Sequence, residues 1–192
     1  MTGARRTICC LTSLLWSSCA LASGDTGKVW LMETPEAAWS PRADHTALVH
    51  DGRIWIIEGF VGSGYGGVWY SSDGTSWTLV TAATPWRIPP VYWITDMKAV
   101  ACDGKIWVMG GQDYYSVCLN AVWCSTDGKT WVQVTPHAAW IGRVGHAVLV
   151  HDGKIWVLGG YTQAGRGLPG KLLNDVWSSA MPTPTRHWRL YP

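Results

Sequence analysis

Short apolar runs broken by Asp-Gly and Gly-Gly pairs recur along most of the chain, in the same order each time. The first copy runs His45-Thr-Ala-Leu-Val-His50, Asp51-Gly52, Arg53-Ile-Trp-Ile-Ile57; the second runs Met97-Lys-Ala-Val-Ala-Cys102, Asp103-Gly104, Lys105-Ile-Trp-Val-Met109; the third runs His146-Ala-Val-Leu-Val-His151, Asp152-Gly153, Lys154-Ile-Trp-Val-Leu158. Two apolar runs joined by Asp-Gly predict a tight β-hairpin, because both turn residues must take positive φ, which Asp tolerates and Gly adopts freely. These runs are strands a and b. Strand b ends at Glu58-Gly59, Gly110-Gly111 and Gly159-Gly160, and a loop of variable length leads to strand c at 67–71, 120–125 and 174–178. A second hairpin at Asp73-Gly74 and Asp127-Gly128 leads to strand d, which opens at Trp77 and Trp131. Each unit is thus a four-stranded antiparallel meander.

Tryptophans mark the same period. Of the 15 in the chain, 13 fall into four columns: Trp30, Trp77, Trp131 and Trp188; Trp39, Trp86 and Trp140; Trp55, Trp107 and Trp156; Trp69, Trp123 and Trp177. The shared Asp-Gly pairs are spaced 52 and 49 residues apart. A period near fifty with paired glycines is a repeat-array signature.

The paired glycine, the Asn174-Asp175-Val176-Trp177 of strand c and the entry Arg-x-x-His at Arg42/His45 and Arg143/His146 resemble kelch repeats over about residues 28–192. Repeat two departs at Ile94 and Met97, repeat one at Glu58, and repeat three at Met181-Pro-Thr-Pro-Thr185, where no Asp-Gly precedes strand d. Ser71-x-Asp73-Gly74-x-x-Trp77 and Ser125-x-Asp127-Gly128-x-x-Trp131 resemble the Asp-box of sialidase-type propellers, one residue shorter. That resemblance implies a structural role, with Asp tying the turn and Trp packing under it. Both imply an all-β fold: a kelch-type β-propeller of three four-stranded blades, about 42–84, 92–138 and 143–192, plus one extra N-terminal strand d at Lys28–Met32.

Propellers close with about four to eight blades, so three leave two apolar faces uncovered. Three arrangements fit. The chain is part of a longer propeller, which the loss of pattern at Met181–Arg186 favours; a homodimer completes one ring; or the repeats stand as an open array.

Residues 1–22 read as a signal peptide: Arg5 and Arg6 are basic, Ile8–Trp16 is apolar, and Ala20-Leu21-Ala22 is a small-x-small cleavage site, leaving 23–192 as the propeller segment. A secreted or periplasmic location is expected. A lipoprotein modified at Cys19 is the lesser reading, because Trp16 stands where such signals carry a small aliphatic residue. The apolar stretch is too short to span a membrane. Only 15% of residues are charged and the net charge is +2, which excludes a nucleic-acid binder on electrostatic grounds. Cys102, Cys118 and Cys124 would remain, and six residues of extended chain put Cys118 and Cys124 beyond disulfide reach; all three are expected as buried thiols.

No Ser-His-Asp order, metal-ligand spacing or phosphate-binding loop appears, so no catalytic residue, metal or cofactor is expected. His45 and His146 read best as structural residues hydrogen-bonded to a neighbouring blade. His50 and His151 should be solvated. Glu58, in place of a glycine, is the one carboxylate that suggests a ligand. The b–c loops at Gln112–Leu119 and Tyr161–Leu173 are the longest, and their Tyr114, Tyr115, Tyr161 and Arg166 are the expected rim contacts. The chain therefore reads as a non-catalytic binding or scaffold module for protein or carbohydrate. The alternative is a carbohydrate-active propeller enzyme resembling galactose oxidase, sialidase or sialic acid mutarotase. The first would use Tyr114, Tyr115 and Cys118 in spacing that is not its motif; the sialidase type would need an arginine triad that Arg42, Arg87 and Arg143 match poorly.

Overall fold

The computed structural model describes residues 27–62, 66–87 and 94–179. The chain divides into two compact units, Met1–Met32 and Glu33–Pro192. In the first, Gly27–Met32 takes no strand conformation, and Trp30 Nε1 donates to Gly27 O at 3.1 Å. The extra strand d expected at Lys28–Met32 is therefore not formed; an extended segment becomes a strand only where a ladder partner satisfies its backbone. The signal peptide reading and the strand expected around Trp188 lie outside the described residues.

The second unit is built of strands, with no helix among the described residues. Blade 1 contains β1 (Thr46–His50), β2 (Arg53–Ile57), β3 (Val68–Ser71) and β4 (Thr78–Thr81), paired in that order. A two-residue strand, β5 (Ile94–Thr95), precedes blade 2, whose strands are β6 (Lys98–Cys102), β7 (Lys105–Met109), β9 (Val122–Ser125) and β10 (Val132–Thr135); β8 (Gln112–Asp113) pairs with β5 in a small separate sheet that the repeat pattern does not show. Blade 3 has β11 (Ala147–His151), β12 (Lys154–Thr162) and β13 (Lys171–Ser179). All the pairings are antiparallel. Strands b and c of blade 3 are longer than expected. Pairing continues past a register shift between Leu158 and Gly160, and the loop is correspondingly shorter.

Local chemistry explains each turn. Asp51, Asp103 and Asp152 have φ of 50°, 49° and 51°, each followed by a glycine at 66°, as a two-residue primed turn needs. Trp55, Trp107 and Trp156 close these hairpins, their Nε1 donating to the carbonyls of His50, Cys102 and His151, each at 3.0 Å. At the c–d turn, Asp127 Oδ1 accepts from Lys129 N at 2.8 Å and Thr130 N at 2.7 Å; Ser125 Oγ accepts from Gly128 N, and Trp131 Nε1 donates to Gly128 O. Ser71, Asp73, Gly74 and Trp77 repeat the arrangement. The Asp-box reading is thus met by geometry at both sites.

The blades pack face to face around strand a. β6 lies between β1 and β11, and Ala99 N donates to Thr46 Oγ1 at 3.0 Å. We name a blade's side toward the preceding blade its leading face, the other its trailing face. Ile57 and Val68, on blade 1's trailing face, share one core cluster with Ile106 and Val108 of blade 2; Met109 of blade 2 shares a second with Ile155 and Val157 of blade 3. Full burial of such a side chain stabilises by about 1.5–3 kcal/mol. Trp86, on the blade 1–2 connection, meets Trp131 and Trp123 of blade 2 edge-on at 5.0 and 5.7 Å. The three cysteines are half-buried rather than fully buried, and none is bridged.

Hydrogen bonds hold the Asp127 carboxyl below the usual carboxylate range, first that from Thr130 N. Its stabilisation is present at neutral pH and is lost as pH falls below about 4. Asp127→Ala should lower Tm by about 3 °C at pH 7, and the gap to the wild type should narrow on acidification, read by circular dichroism melts.

Candidate functional site

The b–c loops of blades 2 and 3 lie side by side and pair through their backbones. Cys118 N donates to Gln163 O at 2.9 Å, Gln163 N donates to Cys118 Sγ at 3.2 Å, and Arg166 N donates to Tyr115 O at 2.8 Å. Within the blade 2 loop, Asp113 Oδ1 accepts from Tyr115 N and Val117 N at 2.9 and 2.8 Å, which folds the loop back on itself. These ties place Tyr114 and Tyr115 edge to face, 5.2 Å apart, with 39% and 47% of their surface exposed. The Arg166 guanidinium lies over the Tyr114 ring at 5.7 Å. Tyr161 lies near the end of β12, paired with Leu172, and its ring turns onto Gly170, where an added Cβ would stand 1.8 Å from the hydroxyl. Tyr114, Tyr115 and Arg166, three of the five expected contact residues, are therefore gathered at one place.

Glu58 is not among them. It is 2% exposed, with φ of 56°, and its carboxylate is closed off by an ion pair with Arg87 and a hydrogen bond from Thr84 Oγ1. The expectation that Glu58 faces a ligand at the rim is corrected: it is a buried link in blade 1. Left-handed backbone in a residue with a side chain costs about 1 kcal/mol or more and persists only where the surroundings hold it. Arg42 Nη1 supplies part of that hold, donating to Glu58 O at 2.9 Å and Gly66 O at 2.8 Å.

Arg143 performs the same task in blade 3. Fully buried, it donates through Nη1 to Gly159 O at 2.8 Å and grips Asp175 with both terminal nitrogens at 2.7 and 2.8 Å. Those hydrogen bonds, ahead of that from Trp177, hold the Asp175 carboxyl well below the usual range. Asp175 is a partner that the sequence pattern did not single out. An acid stands at this place only in blade 3: blade 1, which carries the equivalent Arg42, has Gly67, and blade 2 has Ala121 opposite Ile94, so the repeat pattern gives no signal for the pair. Arg42, Arg87 and Arg143 form no triad, since each serves its own carbonyl or carboxylate.

His146 is 2% exposed and stands over Gly110 of blade 2, where an added Cβ would lie 2.5 Å from its Cε1. Trp140 flanks the ring at 6.3 Å. Contact with the neighbouring blade is as expected, but the expected hydrogen bond is not: neither ring nitrogen finds a partner among the described residues. The ring is held by packing. His45 is exposed, His151 is exposed, and His50 is half-buried with its ring 6.2 Å from Trp55.

A second polar group sits where strands a begin. Asp44, Asp96 and Gly145 occupy equivalent positions with φ of 54°, 56° and 59°. Asp96 N donates to Asp44 O at 3.0 Å, while the Asp96 carboxylate accepts from Gly145 N and pairs with Lys98. Asp44 and His45 stay exposed beside them. Among the described residues no cluster of three His, Cys, Asp or Glu could hold a metal ion, and no helix is long and apolar enough to cross a membrane.

The kelch motif matches residues 95–137 and 142–178. Among solved structures, the chain is similar to that of YjhT, a propeller, with 23% identity and a TM-score of 0.52 over 69% of this chain and 38% of that one. The chain thus spans well under half the length of the kelch-type structure it matches, and its blades form a partial propeller. No curated protein matches. Repeat one lies outside the matched segments, and it is the repeat that carries Glu58 in place of glycine.

Burial lowers the His146 pKa to about 4, against the Asp96 charge, with Lys98 and Arg143 acting in the same direction as burial. The unfolded chain therefore takes up this proton first, near pH 6.5. Stability falls as pH drops from about 6.5 to about 4, and this group causes no further loss below that. His146→Met, the residue blade 2 carries at this place, should flatten the Tm profile over that window; an unchanged slope would show that the burial does not govern it.

Proposed function

We propose that this kelch-type propeller segment is a secreted or periplasmic, non-catalytic binding or scaffold module, and that it engages a protein or carbohydrate ligand through Tyr114, Tyr115, Tyr161 and Arg166. The observation that supports this is the backbone pairing of the two loops. It presents an exposed pair of aromatic rings beside a guanidinium without a mobile loop having to order first. Rings of this kind stack on the apolar face of a sugar or pack into a peptide groove, and Arg166 adds a donor for a carboxylate. The location rests on the basic and apolar residues of 1–22 and on the cleavage pattern at Ala20-Leu21-Ala22.

A carbohydrate-active enzyme is the second reading, favoured by the exposed Asp44 and His45 beside Asp96 and Lys98 at one end of the innermost strands. Sugar turnover that Asp44→Asn abolishes while Tyr115→Ala spares would establish it in place of the first.

Under the binding reading, a glycan and peptide array should return one ligand class without turnover. Tyr115→Ala and Arg166→Ala should each weaken its binding about tenfold or more by titration calorimetry, the loss of one stacked ring or one charged hydrogen bond. Both side chains are exposed, so Tm should not move. Full affinity in both variants would end the proposal.

A further inference from the structure

The His146 side chain is wedged between the roots of the two rim loops. A Cβ on Gly110 would lie 2.5 Å from its Cε1 and 3.0 Å from its Nε2, and one on Gly160 would lie 2.9 Å from its own Cβ. Gly110 and Gly111, with φ of 69° and 97°, open the blade 2 loop; Gly160, at 105°, leads into the blade 3 loop. Backbone hydrogen bonds hold these roots. Gly111 N donates to Arg143 O at 3.0 Å, Leu119 N to Gly111 O at 2.8 Å, Arg143 N to Leu119 O at 3.0 Å, and Tyr161 N to Val144 O at 2.9 Å. Both ends of the blade 2 loop are thus tied to Arg143, three places before His146. Further out, Cys118 is tied to Gln163 and Tyr115 to Arg166.

A second proton on this imidazole has no place in the closed seam. The side chain is 2% exposed, and neither nitrogen meets a partner among the described residues. Charging a buried group without a partner is costly. Asp96 favours the charged ring, but its carboxylate is already paired with Lys98 and accepts from Gly145 N. Lys98 and Arg143 oppose the charged ring, and Arg143 in turn holds Asp175. A protonated ring must therefore reach water. Trp140 blocks one side, packed in a core cluster with Met109, Ile155 and Val157. The Gly110–Gly111 side presents no side chain, and its hydrogen bonds exchange for water at small net cost. That side yields first. When it moves, the bond from Gly111 to Arg143 breaks, and Tyr114 and Tyr115 are carried away from Arg166.

We propose that protonation of His146 unlatches the two rim loops in mildly acidic solution, which makes the rim a binding surface gated by pH. The gating of a ligand rests on the rim being the binding surface; the latch does not. Blade 2 carries Met97 at the place of His146, and methionine takes no proton, so the blade 1–2 junction is an internal comparison.

Hydrogen exchange of the whole chain, corrected for the intrinsic effect of pH on the exchange rate, tests the latch. In the open form the ring titrates as an ordinary histidine, near 6.5, and in the closed form at about 4, so opening should be about twentyfold more frequent at pH 5 than at pH 7. The amides of Gly111, Leu119 and Arg166 should speed up by that factor, while those of Ile57 and Val68 should not. His146→Met should remove the difference. Gly110→Ala, whose methyl takes the space of the ring, should speed these loop amides already at pH 7. A glycan and peptide array read at both pH values should lose at pH 5 the ligands that the wild type holds at pH 7, and His146→Met should keep them. Loop amides no more responsive than those of Ile57 and Val68, a response that His146→Met retains, or ligands held equally at both pH values would each overturn the proposal. An array empty at both values, with loop amides that respond, would overturn the binding reading and leave the latch standing.

Discussion

Burial between facing blades is the interaction on which everything else here depends. A single four-stranded meander has two side faces and no interior. Ile57 and Val68 leave solvent only because Ile106 and Val108 lie opposite them, and Met109 only because Ile155 and Val157 do. Hydrogen bonds within a blade set its shape, but they exchange water for protein partners at small net gain. The apolar contact between blades stabilises the fold more. That is why tryptophan recurs at fixed places: Trp86 spans a connection and packs on the following blade, and Trp55 reaches across a junction to Gly128.

Two of the departures in the sequence fall at the same junction. Glu58 breaks the glycine pair of repeat one, and Met97 replaces the histidine of repeat two; both sit at the blade 1–2 junction, 2% and 3% exposed. Where the histidine is kept, the residue beneath it must be Gly110, because the imidazole takes the space of a Cβ. Where methionine replaces it, a side chain is tolerated. Glu58 brings a charge with it, and Arg87 neutralises that charge from the connection, a position outside the repeat pattern. A buried carboxylate without such a partner would be strongly destabilising, so Glu58 and Arg87 are best understood as one coupled pair.

The hairpins, the c–d turns and the order of strands in each blade were legible in the sequence because each is written locally, by Asp-Gly and by the tryptophan a few residues on. The small β5–β8 sheet was not, since two-residue strands have no period. The missing strand at Lys28–Met32 shows the opposite failure. Trp30 stands in a tryptophan column, yet a column marks a side-chain position and not a ladder, and a strand needs the ladder. Composition and loop length singled out Tyr114, Tyr115 and Arg166, and the structure brings these three together because the two loops pair through their backbones. Glu58 misled because its partner, Arg87, is 29 residues away, and no local pattern distinguishes a buried ion pair from a ligand-facing acid.

Junction and rim are mechanically continuous. β8 begins three residues after Met109, and the pairing of Cys118 with Gln163 joins the loops above the seam where His146 covers Gly110. Arg143 N and Leu119 O are hydrogen-bonded at 3.0 Å, so the residue that anchors blade 3 also holds the end of the blade 2 loop. The tyrosine pair therefore rests on backbone from both blades, and its geometry is set by how those blades meet. Loosening the seam would separate Tyr115 from Arg166 before it exposed the core, because the loops are joined by a few backbone hydrogen bonds while the faces below are joined by buried apolar area. In this fold the paired rim loops are the upper edge of a packing interface, and the placing of the exposed tyrosine pair comes from the same contacts that keep the blades together.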